Sequence, residues 1–156
     1  MSATLTEQGS DSAVQPVRVG VIGAGGMARA HMRQLLEIPG VSITALCDTA
    51  PAVFEKAKET FSQLSDVYTT DDYNDLLSRG DVDAVVIASP HTDHIKHGMA
   101  ALDAGKHVLM EKPMVCSVDD AHTLLGRLED SDRIFAIAYQ RHGHGAFRFI
   151  HDQIAT

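Results

Sequence analysis

Basic residues are scarce in this chain: thirteen Lys and Arg stand against twenty-one Asp and Glu, a formal net charge of −8. A protein that tracks a phosphate backbone leans the other way, which sets nucleic-acid partners aside. Cysteine is scarcer still. Cys47 and Cys116 are too few and too far apart for a disulfide framework or a cysteine zinc site. Long apolar runs are missing too; Val85-Val86-Ile87-Ala88 is far too short to span a bilayer, so no membrane partner is expected. The first fifteen residues have neither a basic n-region nor an apolar h-region, so no signal peptide is expected and the expected location is cytoplasmic. Internal repeats and low-complexity segments are absent. What remains is ordinary globular material: 44% hydrophobic and 22% charged over 156 residues, the size of about one domain at roughly 150 residues each.

The order of apolar runs and breakers divides the chain into a loose tail (residues 1–15), a domain (16–141) and the start of a connecting helix (142–156). Within the domain, Val17–Ile22, Val41–Cys47, Asp66–Tyr68, Val82–Ala88, His107–Glu111 and Ile134–Tyr139 read as strands. Helical spacing occupies Met27–Leu36, Ala52–Phe61, Asp71–Arg79, Thr92–Ala104 and a stretch from Ser117 to about Glu129. Pro51 suits a first turn, and Ser117 with Asp120 resembles a capping box. Six strands alternating with five helices predict an α/β, doubly wound parallel sheet of order 3-2-1-4-5-6. After the sixth strand, Phe147, Ile150 and Ile154 form an apolar stripe that wants a partner surface, and self-association through that helix is expected.

Gly23-x-Gly25-x-x-Ala28 follows the first strand and opens the first helix. A turn this tight needs Gly23. Gly25 lets the backbone approach a pyrophosphate, and a small residue at 28 packs helix on strand, with Gly26 and Met27 in the helix start. The helix N-terminus then offers free N–H groups to phosphate. Asp48 ends the second strand, twenty residues beyond Ala28. Its carboxylate can accept both hydroxyls of an adenosine ribose and repels a 2′-phosphate, and residues 49–52 supply no cation. NAD is therefore expected as the cofactor, NADP less so.

The loops after strands four and five carry a more specific signal. Ser89-Pro90…His94, Ala104-Gly105-Lys106-His107-Val108 and Glu111-Lys112-Pro113 occur in that order. From about Val17 to Arg141 the chain resembles the N-terminal domain of the Gfo/Idh/MocA oxidoreductases, the glucose–fructose oxidoreductase and inositol dehydrogenase family. That resemblance implies a Rossmann domain and hydride transfer between a nicotinamide cofactor and a sugar or polyol hydroxyl carbon. It implies a catalytic role for Lys112 near the nicotinamide ribose and the reacting hydroxyl. Ser89, Pro90, His91, His94 and Glu111 are the further cofactor-binding candidates, with Lys112 serving both roles. It also implies a second α/β domain, expected beyond Thr156, holding the substrate pocket and the catalytic base.

Three details complete the expectations. His94 is read as either a ligand-facing or a packing histidine. His91, His94 and His97 are not read as a metal site, because positions 91 and 97 lie about 240° apart on a helix. A cis bond before Pro113 is anticipated where the chain turns sharply after a strand. Tyr139 and Arg141 are expected to end strand six, and His142 and His144 to lie in a loop. Two other functions compete with the dehydrogenase reading: a non-catalytic NAD-sensing or interaction module, and a reductase that uses a different hydride acceptor.

Overall fold

A computed structural model describes residues 15–154, so all but the last residue of the expected tail over 1–15, and the last two residues of the chain, lie outside the described part. The six strands are β1 (Val17–Ile22), β2 (Val41–Cys47), β3 (Tyr68–Thr70), β4 (Ala84–Ile87), β5 (His107–Met110) and β6 (Phe135–Ile137). They form one sheet in the order β3-β2-β1-β4-β5-β6, and every neighbouring pair is parallel. The helices are α1 (Gly26–Leu36), α2 (Ala52–Thr60), α3 (Tyr73–Ser78), α4 (His94–Asp103), α5 (Val118–Glu129), α6 (Gln140–Gly143) and α7 (Gly145–Ile154).

The central strands are buried on both faces, as a parallel sheet covered by helices requires. On β4, Val85 and Ile87 join one apolar cluster with Leu76 of α3, Leu102 of α4 and Leu124 of α5. Val86, one residue out of phase, joins the opposite cluster with Met32 of α1 and Phe54 of α2. The alternation follows from side chains pointing to opposite faces at successive strand positions. Helices α1 to α5 each bury apolar side chains in one of these two cores.

Local chemistry sets the ends. The Asp72 side chain accepts the Asn74 N–H and caps α3; the Ser117 hydroxyl accepts the Asp120 N–H and caps α5, as anticipated. Lys106 fastens the opposite edge of the sheet. Its Nζ donates to the carbonyls of Arg79, at 2.9 Å, and Val82, at 2.8 Å, joining the end of α3 to the approach to β4. His107 Nδ1 accepts the Ile134 N–H and so leads the chain into β6.

Several boundaries differ from expectation. β3 begins at Tyr68 rather than Asp66, because a 3-10 turn over Ser62–Leu64 continues into a bond from the Val67 N–H to the Leu64 carbonyl. Pairing with β2 then engages Tyr68, Thr69 and Thr70. Residues 91–93 form a 3-10 turn ahead of α4, and β6 stops at Ile137. Tyr139 therefore lies beyond the strand, Arg141 falls within α6, and the expected loop around His142 is helical.

Candidate functional site

A cleft of about 450 Å³ opens beyond the carboxyl ends of the strands. It lies where β1 is flanked by β2 on one side and β4 on the other, the point at which strand order reverses. Gly23, Asp48, Asp71, Tyr73, Ser89 and Pro90 are among its walls.

Two glycines in the first loop differ in what holds them there. Gly23 has φ +84°, and a Cβ on it would sit 2.6 Å from the Ser89 nitrogen and 2.7 Å from the Ala88 carbonyl. The protein's own backbone demands glycine at 23. Gly25 has φ −68°, and a Cβ there would meet nothing within 4 Å. No contact among the described residues requires glycine at 25, which faces open space at the start of a helix. The first-turn N–H groups of α1, on Gly26, Met27 and Ala28, have no intrahelical partner, no side chain caps the helix, and no acid occupies its first turn. Met27 stays exposed, while Ala28 is fully buried, in the cluster that holds Val19, Val21 and Val86.

Asp48 is bound to this loop. Its Oδ2 accepts the Ala24 N–H at 2.8 Å and its Oδ1 accepts the Ala50 N–H at 2.9 Å. Each carboxylate oxygen keeps one further lone pair for another donor. Cys47, beneath it, is buried; burial first and the neighbouring aspartates next push its thiol up to about 12, so it stays a neutral thiol.

The far wall was not foreseen. The Tyr73 and His97 rings meet tilted at 55° with centroids 4.6 Å apart, and Lys96 Nζ lies 4.8 Å from the Tyr73 ring centre. Ser89 Oγ is 2.8 Å from His97 Nδ1. Desolvation holds the His97 ring below its ordinary value, outweighing nearby Asp93. Lys96 and His97 follow His94 on α4, but nothing in their spacing points to Tyr73 on α3. Their weight came only from folding α3 alongside α4.

Two expected ligand contacts face elsewhere. His94 is fully buried, with Nδ1 2.7 Å from the Pro113 carbonyl and Nε2 3.1 Å from the Ser89 carbonyl. It joins the two loops instead of presenting an edge to the cleft. Glu111 is also buried: its Oε1 lies 2.6 Å from His31 Nε2, and its Oε2 accepts the Lys112 N–H. His31, on α1, thus takes the carboxylate that follows β5. By contrast, Lys112, Pro90 and His91 are exposed. The Lys112–Pro113 bond is cis. No cluster of His, Cys, Asp or Glu suited to a metal ion occurs among the described residues. No helix among them is long and apolar enough to cross a membrane.

Comparison with known proteins agrees with this geometry. A glycosyl hydrolase family 109 protein of Shewanella sp. (strain W3-18-1) is 34% identical over 123 residues, covering 75% of this chain and 27% of that protein. The chain thus spans about a quarter of the length of the curated relatives it matches. The myo-inositol 2-dehydrogenase of Lactobacillus plantarum superposes with a TM-score of 0.81 at 25% identity, covering 90% of this chain and 41% of the other. A 3-ketoreductase from Actinomadura kijaniata, solved with NADP and TDP-benzene, gives 0.80 at 29% identity, covering 90% of this chain and 42% of that one. The family model described as the Gfo/Idh/MocA oxidoreductase family, NAD-binding Rossmann fold, matches residues 17–139. With four-fifths of its length matched to that model and the sheet order it requires, the chain belongs to the Gfo/Idh/MocA oxidoreductase family.

Proposed function

We propose that this chain is the NAD(H)-holding part of an oxidoreductase that moves hydride to or from a sugar or polyol hydroxyl carbon. The observation that carries the reading is Gly25: an unobstructed glycine, not required by packing, at the uncapped start of α1. Pyrophosphate is the group such a start accommodates, through free N–H donors and the positive end of the helix dipole. Gly23, Gly26, Met27 and Ala28 shape that start, and Asp48 serves the adenosine ribose. Ser89 and Pro90 line the cleft where the chain leaves β4, with the exposed His91 next in sequence. When bound, the nicotinamide ring supplies a hydride acceptor or donor. Lys112, exposed where the chain leaves β5, would stabilise alkoxide character on the reacting oxygen.

The preference for NAD over NADP rests on charge around the cleft. Asp48, Asp71, Asp72 and Asp93 line it, against the single ammonium of Lys96, which lies over Tyr73. A 2′-phosphate would enter a field dominated by carboxylates. The 3-ketoreductase neighbour holds NADP, so this preference belongs to the residues of this chain.

Calorimetric titration tests the reading. NAD⁺ is expected to bind more tightly than NADP⁺, and Asp48→Asn to narrow the gap; equal affinities in the unaltered protein would contradict it. Assayed alone across a panel of polyols, the 156-residue chain is expected to bind cofactor without accumulating NADH. Hydride transfer needs a substrate held about 3–3.5 Å from the nicotinamide carbon, and that positioning is worth several kcal/mol of barrier. One lysine in an open, solvated crevice does not provide it. Robust turnover, lost in Lys112→Ala, would mean that a complete active site exists within these residues. Cofactor binding without any turnover in the longer protein as well would favour a sensing module. Glycoside cleavage by that longer protein would place it with the relatives named as glycosyl hydrolases.

A further inference from the structure

Lys112 and Pro113 are both exposed, yet the dipeptide is anchored on each side by a buried histidine. On the N-terminal side, Glu111 Oε2 accepts the Lys112 N–H at 3.1 Å, while Glu111 Oε1 lies 2.6 Å from His31 Nε2. The two side chains are only 9% and 6% exposed, and 80 residues separate them. On the C-terminal side, the Pro113 carbonyl meets His94 Nδ1 at 2.7 Å. The Glu111 N–H donates to the Ile87 carbonyl, which fixes the strand end itself. The backbone around Lys112 is therefore held from three directions, and its side chain has the freedom.

His31 lies on α1, five residues after Gly26, in the buried stripe with Ala28 and Met32. An apolar residue would suit that stripe better as packing. Burying two ionisable groups together is a weak route to stability, since desolvation offsets most of the attraction. It does fix direction, because a buried pair tolerates few geometries. The helix whose N-terminus faces the pyrophosphate site is thereby tied, through one side-chain contact, to the loop that presents Lys112.

We propose that His31 is a positioning residue: through Glu111 it sets the direction in which Lys112 leaves the sheet and registers Lys112 against the helix that receives the pyrophosphate. The inference rests on the reading that Lys112 contacts the nicotinamide ribose. Its ligand chemistry is split accordingly. ADP fills the adenosine and pyrophosphate end alone, whereas NAD⁺ adds the nicotinamide nucleoside near Lys112.

The experiment measures NAD⁺ and ADP affinity by calorimetry on the 156-residue chain and on four variants. Lys112→Ala is expected to weaken NAD⁺ by about tenfold, the weight of one charge-assisted hydrogen bond, and to leave ADP unchanged. His31→Leu, which cannot reach Glu111 with a donor, is expected to reproduce that pattern. His31→Gln, whose terminal amide stands where Nε2 stood, is expected to recover most of the NAD⁺ affinity. Should the leucine variant fail to fold, His31→Asn makes the same comparison with an amide too short to reach. A His31→Leu or His31→Asn protein that loses NAD⁺ and ADP affinity in parallel has only a packing histidine, and the proposal fails. It fails equally if those variants keep the NAD⁺-to-ADP ratio while Lys112→Ala lowers it. If Lys112→Ala itself leaves the ratio unchanged, the reading of Lys112 is refuted, and the role of His31 falls with it.

Discussion

Replacing Gly25 by alanine separates a glycine kept for a ligand from one kept for the fold. Its backbone angles, φ −68° and ψ −161°, are open to any residue, and the new methyl would meet nothing within 4 Å. Alanine restricts the unfolded chain, a gain of about 0.4–1 kcal/mol. It is a poorer N-cap than glycine, a loss of about 0.5–1 kcal/mol. The two nearly cancel, so Gly25→Ala should change stability by less than about 1 kcal/mol. Gly23→Ala is the control. There φ +84° costs about 1–2 kcal/mol, and a Cβ 2.6 Å from a backbone nitrogen that cannot yield adds about 1–3 kcal/mol of overpacking. At roughly 3–4 °C per kcal/mol for a domain of this size, Gly23→Ala should lower Tm by about 10 °C. Thermal unfolding with and without NAD⁺ is the assay. Saturating ligand at about 100 times Kd should stabilise the unaltered protein by about 2.7 kcal/mol. Gly25→Ala should unfold at its usual temperature and lose most of that ligand-induced rise. A Gly25→Ala protein that keeps the full rise, or that unfolds as early as Gly23→Ala, would refute the assignment of this space to pyrophosphate.

Other outcomes follow from geometry elsewhere. His94→Leu removes the fully buried imidazole that joins the Ser89 and Pro113 carbonyls, and at about 1–3 kcal/mol for one lost partner urea titration should show a loss of that size. The guanidinium of Arg18 holds the Asp83 carboxyl down at about 2. Its contribution to stability is complete above the unfolded value near 3.9 and is lost as pH falls from there through 2. The pair is more than a third exposed, so the effect is small; Asp83→Asn should flatten the urea midpoint between pH 4 and 2, and an unchanged slope would contradict it. Phe147, Ile150 and Ile154 lie exposed on α7. Sedimentation of the 156-residue chain should reveal concentration-dependent association that Ile150→Glu abolishes.

Sheet order, the glycine loop and the cleft were readable because each depends on local pattern: apolar runs, breakers and a strand-end acid. Residues 66–70 were not, since which of them pair is decided by register against Ala45–Cys47, a tertiary choice. The direction of Glu111 was missed although a clue existed. Ala28, His31 and Met32 occupy one helical stripe, and a histidine on a buried stripe needs a buried partner. Glu111, ending an interior strand, was such a partner. His94 was open between two readings, and only the positions of the Ser89 and Pro113 carbonyls decided it. Tyr73, Lys96 and His97 come from two helices brought together by the sheet, and no spacing in either segment announces their meeting.

Lys106 draws a line between being recognisable and being active. In the Ala104–Val108 run, the most conspicuous word of the sequence, the ammonium is occupied by two carbonyls and the histidine by the entry to β6. Those residues act as fasteners at the edge away from the cleft, and they would serve a chain with or without chemistry. A descendant that exchanged Lys112 while keeping Gly105, Lys106 and His107 would fold, present the same sheet and still be matched to its kin. Kinship in such a lineage is a property of the fasteners, whereas the role proposed for Lys112 hangs on one exposed amine that the fold does not use, so a duplicated copy could exchange it without any visible change of form.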